Sequence, residues 1–137
     1  MANHPDTPYA LVADDDLLIR MDAETILEDA GFRALSAENG VEAIRLLDQY
    51  AGAIVLLFTD VEMPGGPDGF ELARTTAERW PDVSIVVASG GKKPGPGDLP
   101  AGAVFLHKPF SAQVVHEHLD RILPDGRKPE PLKGRRM

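Results

Sequence analysis

The chain has 137 residues, 43% of them hydrophobic, and no cysteine, which suits a single domain with one core and excludes disulfides and thiolate metal sites. No apolar run approaches the roughly 20 residues that span a bilayer, and the first residues lack the pattern of a signal peptide, so a cytoplasmic protein without a membrane segment is predicted. The net charge of −8 would repel phosphate backbones, which argues against nucleic-acid binding by the folded part.

The two ends of the chain differ from its middle in composition. Residues 124–137, PDGRKPEPLKGRRM, hold five Lys or Arg against two acids and almost nothing to bury, which is typical of a disordered segment. We therefore predict a flexible N-terminus over 1–8, one folded domain over 9–123 and a disordered basic tail over 124–137. The alternatives for the tail are the start of a linker and a small docking segment.

The predicted elements alternate between strand and helix along the folded domain. Apolar runs predict five strands, at Tyr9–Ala13, 32–37, 53–59, 83–88 and 103–107. Apolar residues at helical spacing predict helices that begin after Asp16, after the turn Asn39-Gly40, after Asp68 and after Ser111. Gly31 stands where the end of the first helix favours a positive φ. Alternating units of this length predict a parallel sheet with helices on both faces.

The segment 90–102, GGKKPGPGDLPAG, stands where this alternation would place a fourth helix. It contains three prolines and five glycines, residues that break or weaken helices. We predict a loop with at most one helical turn. Such a loop is either a shortened connector or a mobile lid beside a site.

Four of the five predicted strands are followed by a charged or hydroxyl side chain. They are Asp14-Asp15-Asp16 after the first strand, Asp60 after the third, Ser89-Gly90 after the fourth and Lys108-Pro109 after the fifth. Each group alone could be a helix cap, a turn or a solvated loop. Ligands of parallel sheets bind beyond the carboxyl ends of the strands, so the set together predicts a site at that edge.

The side chains at this edge favour phosphoryl chemistry with a hard cation. Asp14, Asp15 and Asp60 would repel one another unless a cation lies between them, and Mg²⁺ prefers such oxygen ligands, whereas Zn²⁺ would want Cys or His. Lys108 adds an ammonium and Ser89 a hydroxyl, which completes a clamp for a phosphoryl group with Asp60 as the nucleophile. The rigid turn over 63–67, MPGGP, stops the strand behind Asp60.

The chain resembles the CheY-like receiver domain of two-component response regulators over about residues 9–123. The resemblance lies in the motifs LVADDD, TDVEMPGGPDGFEL, VVASGG and HKPF. It implies a flavodoxin-like (βα)5 fold, a doubly wound parallel sheet of five strands in the order 2-1-3-4-5, with the fourth helix shortened or replaced by a loop. The loop 63–69, which follows Asp60, is one residue longer than the corresponding loop of the commonest receiver pattern.

The resemblance also implies a role for each site residue. Asp60 would be the phosphoacceptor, and the metal would be bound by Asp14, Asp15, Asp60 and the backbone carbonyl of Glu62. Lys108 would act as the catalytic lysine, and Ser89 and Phe105 would form the switch. The Lys108-Pro109 bond would be cis, and Glu62 would tune dephosphorylation.

The partners implied by the resemblance are signalling proteins. A sensor histidine kinase or a phosphotransfer protein would phosphorylate Asp60 in the presence of Mg²⁺, and the downstream protein stays unknown. No DNA-binding or other output domain follows the last predicted helix, so we expect a stand-alone receiver that signals by protein contact. Because the loop 90–102 replaces part of the usual dimer surface, we expect a monomer or a weak dimer.

Other assignments stay open at this stage. The chain could be the receiver piece of a hybrid histidine kinase, or a receiver-like interaction module that works without phosphorylation. We do not expect an enzyme in the usual sense, because an aspartate-nucleophile phosphatase would want a second Asp where Glu62 stands. A dinucleotide-binding domain lacks support because no glycine-rich turn follows the first strand.

Overall fold

The computed structural model describes residues 7–124 and 128–129. That part of the chain contains five strands and four helices, which alternate except that β5 follows β4 directly. The strands are β1 Tyr9–Ala13, β2 Arg33–Ala37, β3 Ile54–Asp60, β4 Ser84–Ser89 and β5 Val104–His107. The helices are α1 Leu17–Asp29, α2 Gly40–Gln49, α3 Gly69–Arg79 and α4 Ala112–Ile122.

The strands form one parallel sheet in the order β2-β1-β3-β4-β5, which confirms the predicted fold. The residues 90–103 join β4 to β5 without a helix, as their prolines and glycines predicted. The sheet's register pairs Asp60 with Ala88 and Ser89 with His107. The carboxyl ends of the strands therefore meet at one edge.

Instead of the one core expected from the chain length, the sheet has a separate apolar core on each face. One core packs α1 and α4 through residues such as Leu27 and Leu119, and the other packs α2 and α3 through residues such as Leu47 and Leu72. All seven residues of β3 are buried, because this central strand is covered on both faces. Such a strand holds Asp60 at its end with little freedom to move.

Four predicted strands begin one residue later than the apolar pattern suggested. In each case the first apolar residue donates its N–H to the preceding turn or helix end. The four hydrogen bonds are Phe32 to Leu27, Ala53 to Tyr50, Val83 to Trp80 and Ala103 to Pro100, at 3.1, 2.9, 3.0 and 3.2 Å. Conversely, β3 and β4 extend through Asp60 and Ser89, so these side chains belong to the strands themselves.

The helix ends follow the predicted capping chemistry. The side chains of Asp16, Asp68 and Ser111 accept hydrogen bonds from the first turns of α1, α3 and α4. The predicted Asn39-Gly40 turn is instead the start of a helix, because Asn39 caps α2. Gly31 has a φ of 105°, and its N–H donates to Glu28 at 2.9 Å, as expected of a helix that ends in a left-handed residue.

Most of the two predicted terminal segments lies outside the described residues. Arg33 holds Thr7 and Pro8 through hydrogen bonds to their carbonyls at 2.9 and 3.0 Å. From the basic tail, Lys128 and Pro129 are described and buried, and the Lys128 ammonium lies 3.0 Å from Oδ1 of Asp120 on α4. The predicted flexibility of 1–8 and disorder of 124–137 stay predictions.

Candidate functional site

The predicted site residues gather at the carboxyl edge of the sheet. Asp14 follows β1 directly, Asp60 and Ser89 end β3 and β4, and Lys108 follows β5. Parallel strands bring these positions together because their carboxyl ends point the same way. The topology therefore delivers the acids, the hydroxyl and the ammonium to one place, as predicted.

Lys108 joins two buried carboxylates. Its Nζ lies 2.9 Å from Oδ1 of Asp60 and 3.2 Å from Oδ2 of Asp14. Asp14 and Asp60 are 4% and 7% exposed, so water screens this contact far less than it would a surface ion pair. Such charge-assisted hydrogen bonds fix the orientation of both carboxylates.

Asp14, Asp15 and Asp60 could together hold a metal ion. One carboxylate oxygen from each lies within 4.8 Å of the others. Asp14 and Asp60 are buried, whereas Asp15 is exposed, so the cluster opens to solvent on the side of Asp15. An all-oxygen, partly open donor set fits Mg²⁺, which keeps several of its waters.

The environment shifts the pKa values of the central pair. Burial raises the pKa of the Asp60 carboxyl above its ordinary 3.8, and the Asp14 carboxylate adds to the rise, although the hydrogen bond from Lys108 opposes it. For Lys108, burial acts to lower the pKa, but the carboxylates of Asp60 and Asp14 outweigh it and raise the pKa above 10.5. Lys108 is therefore a cation at neutral pH.

Asp14 is held through all four of its polar groups. Its N–H donates to the Ala37 carbonyl of β2 at 3.1 Å, and its Oδ1 accepts from the N–H of Asp16 at 2.9 Å. Its Oδ2 accepts from Lys108, and its backbone carbonyl accepts from Nη1 of Arg20 at 2.8 Å. Four different parts of the fold thus fix one residue.

Glycines allow the loop after Asp60 to pack tightly. A Cβ on Gly69 would collide with the Asp60 carbonyl oxygen and come within 2.7 Å of Cα of Val61. The Gly69 N–H donates to the Val61 carbonyl at 2.8 Å. A Cβ on Gly40 would meet the Pro67 carbonyl oxygen at 2.6 Å. The loop is therefore pressed against the end of β3 and the start of α2.

Ser89 is fully buried and bonded to the loop that follows it. Its Oγ accepts hydrogen bonds from the N–H groups of Gly91 at 3.2 Å and Lys92 at 2.9 Å. Its carbonyl accepts from the N–H of Lys108 at 2.9 Å. Ser89 thus lies beside Lys108 in the fold, and its hydroxyl oxygen faces the loop.

The far part of that loop is attached to α3. Asp98 accepts a hydrogen bond from the N–H of Gly95 through Oδ2 at 2.7 Å, and its carbonyl accepts from Nη1 of Arg74 at 3.0 Å. Leu99 packs against the core on the α2 and α3 face. The loop 90–103 is therefore connected at both ends, to Ser89 and to α3.

The two remaining predicted residues lie at the edge of this cluster. Phe105 is half-buried on β5 and makes an edge-to-face contact with His107 at 5.4 Å between ring centroids. Glu62 follows Asp60 by two residues and has an exposed side chain. The predicted cis bond between Lys108 and Pro109 is present.

Two contributors were not predicted from the sequence: Arg20 and the Arg74–Asp98 pair. Arg20 follows the cap Asp16 by four residues, so helical spacing alone returns it to the aspartate turn, and this signal could have identified it. Arg74 and Asp98 are 24 residues apart in sequence, and no local pattern links them.

Comparison with known proteins identifies related sequences and structures. Residues 10–120 match the family model described as the response regulator receiver domain. The chain is 33% identical over 117 residues to the response regulator receiver protein CpdR of Brucella abortus, a match that covers 82% of this chain and 94% of CpdR. It is 32% identical over 118 residues to the sensor kinase CckA of the same organism, covering 81% of this chain. The chain spans 12% of that kinase.

Solved structures of similar proteins share the fold. A response regulator receiver protein from Sinorhizobium medicae superposes with a TM-score of 0.78 at 29% identity, covering 85% of this chain and 94% of that protein. The receiver domain of the hybrid histidine kinase CckA superposes with a TM-score of 0.72 at 28% identity, covering 85% of this chain and 99% of that domain.

Among the described residues, no helix is both long and apolar enough to cross a membrane.

Proposed function

The chain belongs to the response regulator receiver family, the phosphoacceptor domains of two-component signalling, and from this premise we propose that Asp60 is its phosphoacceptor. One observation carries the assignment. The Asp60 carboxylate ends the central strand, 2.9 Å from the Lys108 ammonium and within 4.8 Å of the Asp14 and Asp15 carboxylates. The phosphoryl donor would be the phosphohistidine of a sensor kinase or of a phosphotransfer protein.

The proposed transfer is a direct displacement at phosphorus. An oxygen of Asp60 forms the new O–P bond, the N–P bond of the phosphohistidine breaks, and its electron pair returns to the imidazole. The Lys108 ammonium hydrogen-bonds the reacting carboxylate and stabilises negative charge on the transferring group. The burial of Asp60 limits water at the site and strengthens these electrostatic interactions.

Asp14, Asp15 and Asp60 are the residues that would hold Mg²⁺, together with the backbone carbonyl of Glu62. When bound, Mg²⁺ neutralises the clustered carboxylates and the phosphoryl oxygens. We propose that Asp15, the exposed member of the cluster, is a direct ligand, and that Asp14 acts mainly through a bound water because Lys108 already occupies its Oδ2. The exposed Glu62 side chain would tune the rate of dephosphorylation.

Ser89 and Phe105 form the proposed switch. Ser89 ends the strand next to Asp60, and its hydroxyl hydrogen is available to donate while its oxygen accepts two N–H groups. Turning this hydroxyl towards a phosphoryl group would change the start of the loop 90–103. Phe105, half-buried on the neighbouring strand, would then repack.

The chain would act in the cytoplasm as a signalling phosphoacceptor that assists its own phosphorylation and dephosphorylation, without another catalytic activity. It would signal by protein contact, as a monomer or weak dimer. Similarity over nearly all of CpdR supports the stand-alone type. Similarity to the receiver of a hybrid kinase keeps the second candidate, a receiver piece of such a kinase.

The experiment is intact-mass analysis after incubation with Mg²⁺ and acetyl phosphate, and with candidate histidine kinases as a second donor. We expect one added phosphoryl group on the wild-type chain and none on Asp60→Asn or after chelation of the metal. Asp48→Asn, a change of the same kind at an exposed position of α2, should be phosphorylated normally. Phosphorylation of Asp60→Asn, or none of the wild type by any donor, would refute the assignment.

A further inference from the structure

The aspartate turn at the end of β1 contains one well-fixed and one poorly fixed carboxylate. Asp14 is held by four hydrogen bonds: its N–H donates to the Ala37 carbonyl, and its oxygens accept from Asp16, Lys108 and Arg20. Asp15 is exposed, and no hydrogen bond reaches its carboxylate among the described residues. Its carboxylate nevertheless lies within 4.8 Å of those of Asp14 and Asp60. No contact of the carboxylate itself therefore fixes Asp15, and its backbone sets where the side chain starts.

Arg20 acts on that backbone. The carbonyl of Asp14 and the N–H of Asp15 belong to one planar peptide unit, and Nη1 of Arg20 donates to this carbonyl at 2.8 Å. The backbone of Arg20 is itself tied to the turn, because its N–H donates to the Asp16 carbonyl at 2.9 Å. The side chain of a rigid helix thus fixes the orientation of the peptide plane from which Asp15 departs.

We infer that Arg20 is a positioning residue for the metal site, which aims the carboxylate of Asp15 by holding the Asp14–Asp15 peptide plane. The inference rests on the proposed function. It predicts that loss of the Arg20 hydrogen bond weakens Mg²⁺ binding and leaves the chemistry at saturating Mg²⁺ nearly unchanged. Residues that orient metal ligands typically contribute about 10-fold or more to metal affinity.

Electrostatics alone predicts the opposite change. Arg20 is a cation close to a site for a cation, so its positive charge repels Mg²⁺. If Arg20 acted only through its charge, its removal would strengthen Mg²⁺ binding. The direction in which the dissociation constant moves therefore separates positioning from a general charge effect.

The test is calorimetric titration of Mg²⁺ into the wild-type chain and into Arg20→Gln and Arg20→Lys. Arg20→Gln removes the charge and shortens the donor, whereas Arg20→Lys keeps the charge but loses the planar guanidinium. We expect Mg²⁺ affinity about 10-fold weaker in Arg20→Gln and weaker than wild type in Arg20→Lys. Arg45→Gln is the matched control, because Arg45 is exposed on α2 and pairs with Glu42 at 3.5 Å, and it should bind Mg²⁺ like the wild type.

Phosphorylation by acetyl phosphate over a series of Mg²⁺ concentrations supplies the second measurement. The expected result is a rate that returns to within about twofold of wild type once Mg²⁺ saturates the variant. Unchanged or tighter Mg²⁺ binding by both Arg20 variants would overturn the inference. A wild-type chain that neither binds Mg²⁺ nor accepts phosphate would refute the proposed function instead. If thermal unfolding shows that Arg20→Gln is not folded, the Mg²⁺ affinity of Arg20→Lys, which keeps the charge, tests the inference instead.

Discussion

The ammonium of Lys108 lies 2.9 Å from Oδ1 of Asp60, in the space that the proposed phosphoryl donor and metal ion would also occupy. Burial raises the pKa of Asp60. Burial also acts on Lys108, but the carboxylates of Asp60 and Asp14 outweigh it and raise the pKa of the lysine. The ionised form of Asp60 is therefore unfavourable in its buried position, and the charge of Lys108 offsets part of that cost. This arrangement leads to opposite expectations for catalysis and for metal binding.

Replacing Lys108 with Met should slow phosphorylation and strengthen Mg²⁺ binding. Met keeps an apolar stem of similar shape but removes the charge that stabilises the transferring group, so the rate at saturating Mg²⁺ should fall about 100-fold. The same change removes a cation that competes for Asp14 and Asp60, so the Mg²⁺ dissociation constant should decrease. Phosphorylation kinetics with acetyl phosphate and calorimetric titration measure the two effects.

Lys93→Met is the control for this prediction, because Lys93 is exposed in the loop 90–103. This variant removes the same charge, and it should change neither the phosphorylation rate nor the Mg²⁺ dissociation constant by more than about twofold. Weaker Mg²⁺ binding by Lys108→Met would contradict the competition between ammonium and metal. An unchanged rate would contradict the catalytic role of Lys108.

Asp60→Asn should stabilise the metal-free protein at neutral pH. Because burial raises the folded-state pKa of Asp60, the folded state binds its proton more tightly than the unfolded state does. The ionised carboxylate then lowers stability above its folded-state pKa. We expect the variant to unfold about 3 °C higher at pH 7, the shift that about 1 kcal/mol gives in a domain of this size.

The pH dependence of this difference follows from the same shift. The penalty develops as the pH rises from the ordinary carboxyl pKa of 3.8 through the raised folded-state pKa, so the gap between variant and wild type should close as the pH is lowered. Saturating Mg²⁺ should reverse the order, because a bound ligand stabilises the wild type by about 2.7 kcal/mol at 100 times its dissociation constant. Calorimetric unfolding with and without Mg²⁺ checks both expectations. If the metal-free wild type were more stable than metal-free Asp60→Asn at pH 7, the predicted sign would be wrong.

The fold and most of the site could be predicted because they depend on periodicity and topology. The apolar runs and caps predicted the strands and helices to within about one residue, and the strand-end rule brought Asp60 and Lys108 together. The strand starts were one residue early because apolar character does not reveal that the N–H of Ala53 is already bonded to Tyr50.

Helical spacing could have placed Arg20 near the aspartate turn, but no sequence pattern specifies which group its side chain bonds or how the loop 90–103 is attached. The bond from Arg20 to the Asp14 carbonyl depends on the path of one turn, and the attachment of Asp98 to Arg74 depends on the course of a loop with five glycines and three prolines. Such a loop has many accessible conformations, and the few hydrogen bonds that select one of them form only in the folded state. These contacts were therefore visible only in the structure.

Gly69→Ala should destabilise the protein at the end of β3 that carries Asp60. The new methyl group would collide with the Asp60 carbonyl and approach Cα of Val61, and these backbone atoms cannot rotate away as a side chain would. We expect a loss of about 2 kcal/mol, within the range for overpacked sites, and slower phosphorylation because Asp60 is displaced. Urea unfolding and the acetyl phosphate assay measure the two.

Gly91→Ala is the matched control for Gly69→Ala. Nothing lies within 4 Å of a Cβ at Gly91, and its φ is not positive. Its unfolding free energy should stay within about 0.5 kcal/mol of wild type. Equal stability of the two variants would mean that the close approach of Gly69 to Asp60 is not a constraint.

Phosphorylation should release the first residues of the loop 90–103 while its far part stays attached. The N–H groups of Gly91 and Lys92 donate to the Ser89 hydroxyl oxygen at 3.2 and 2.9 Å, so both lose their acceptor if that hydroxyl turns towards a phosphoryl group on Asp60. The N–H of Gly95, bonded to Asp98 at 2.7 Å, should keep its acceptor.

Amide hydrogen exchange by NMR, with and without Mg²⁺ and beryllium trifluoride as a phosphoryl analogue, measures this release. We expect faster exchange at Gly91 and Lys92 in the presence of the analogue and no change at Gly95, which is the internal control. In Ser89→Ala the acceptor is already missing, so the first two amides should exchange rapidly in both states. If they stay protected in the wild type while the analogue is bound, Ser89 does not couple Asp60 to the loop. Faster exchange at Gly95 as well would mean that the rearrangement extends beyond the first residues of the loop and opens the hydrogen bond between Gly95 and Asp98.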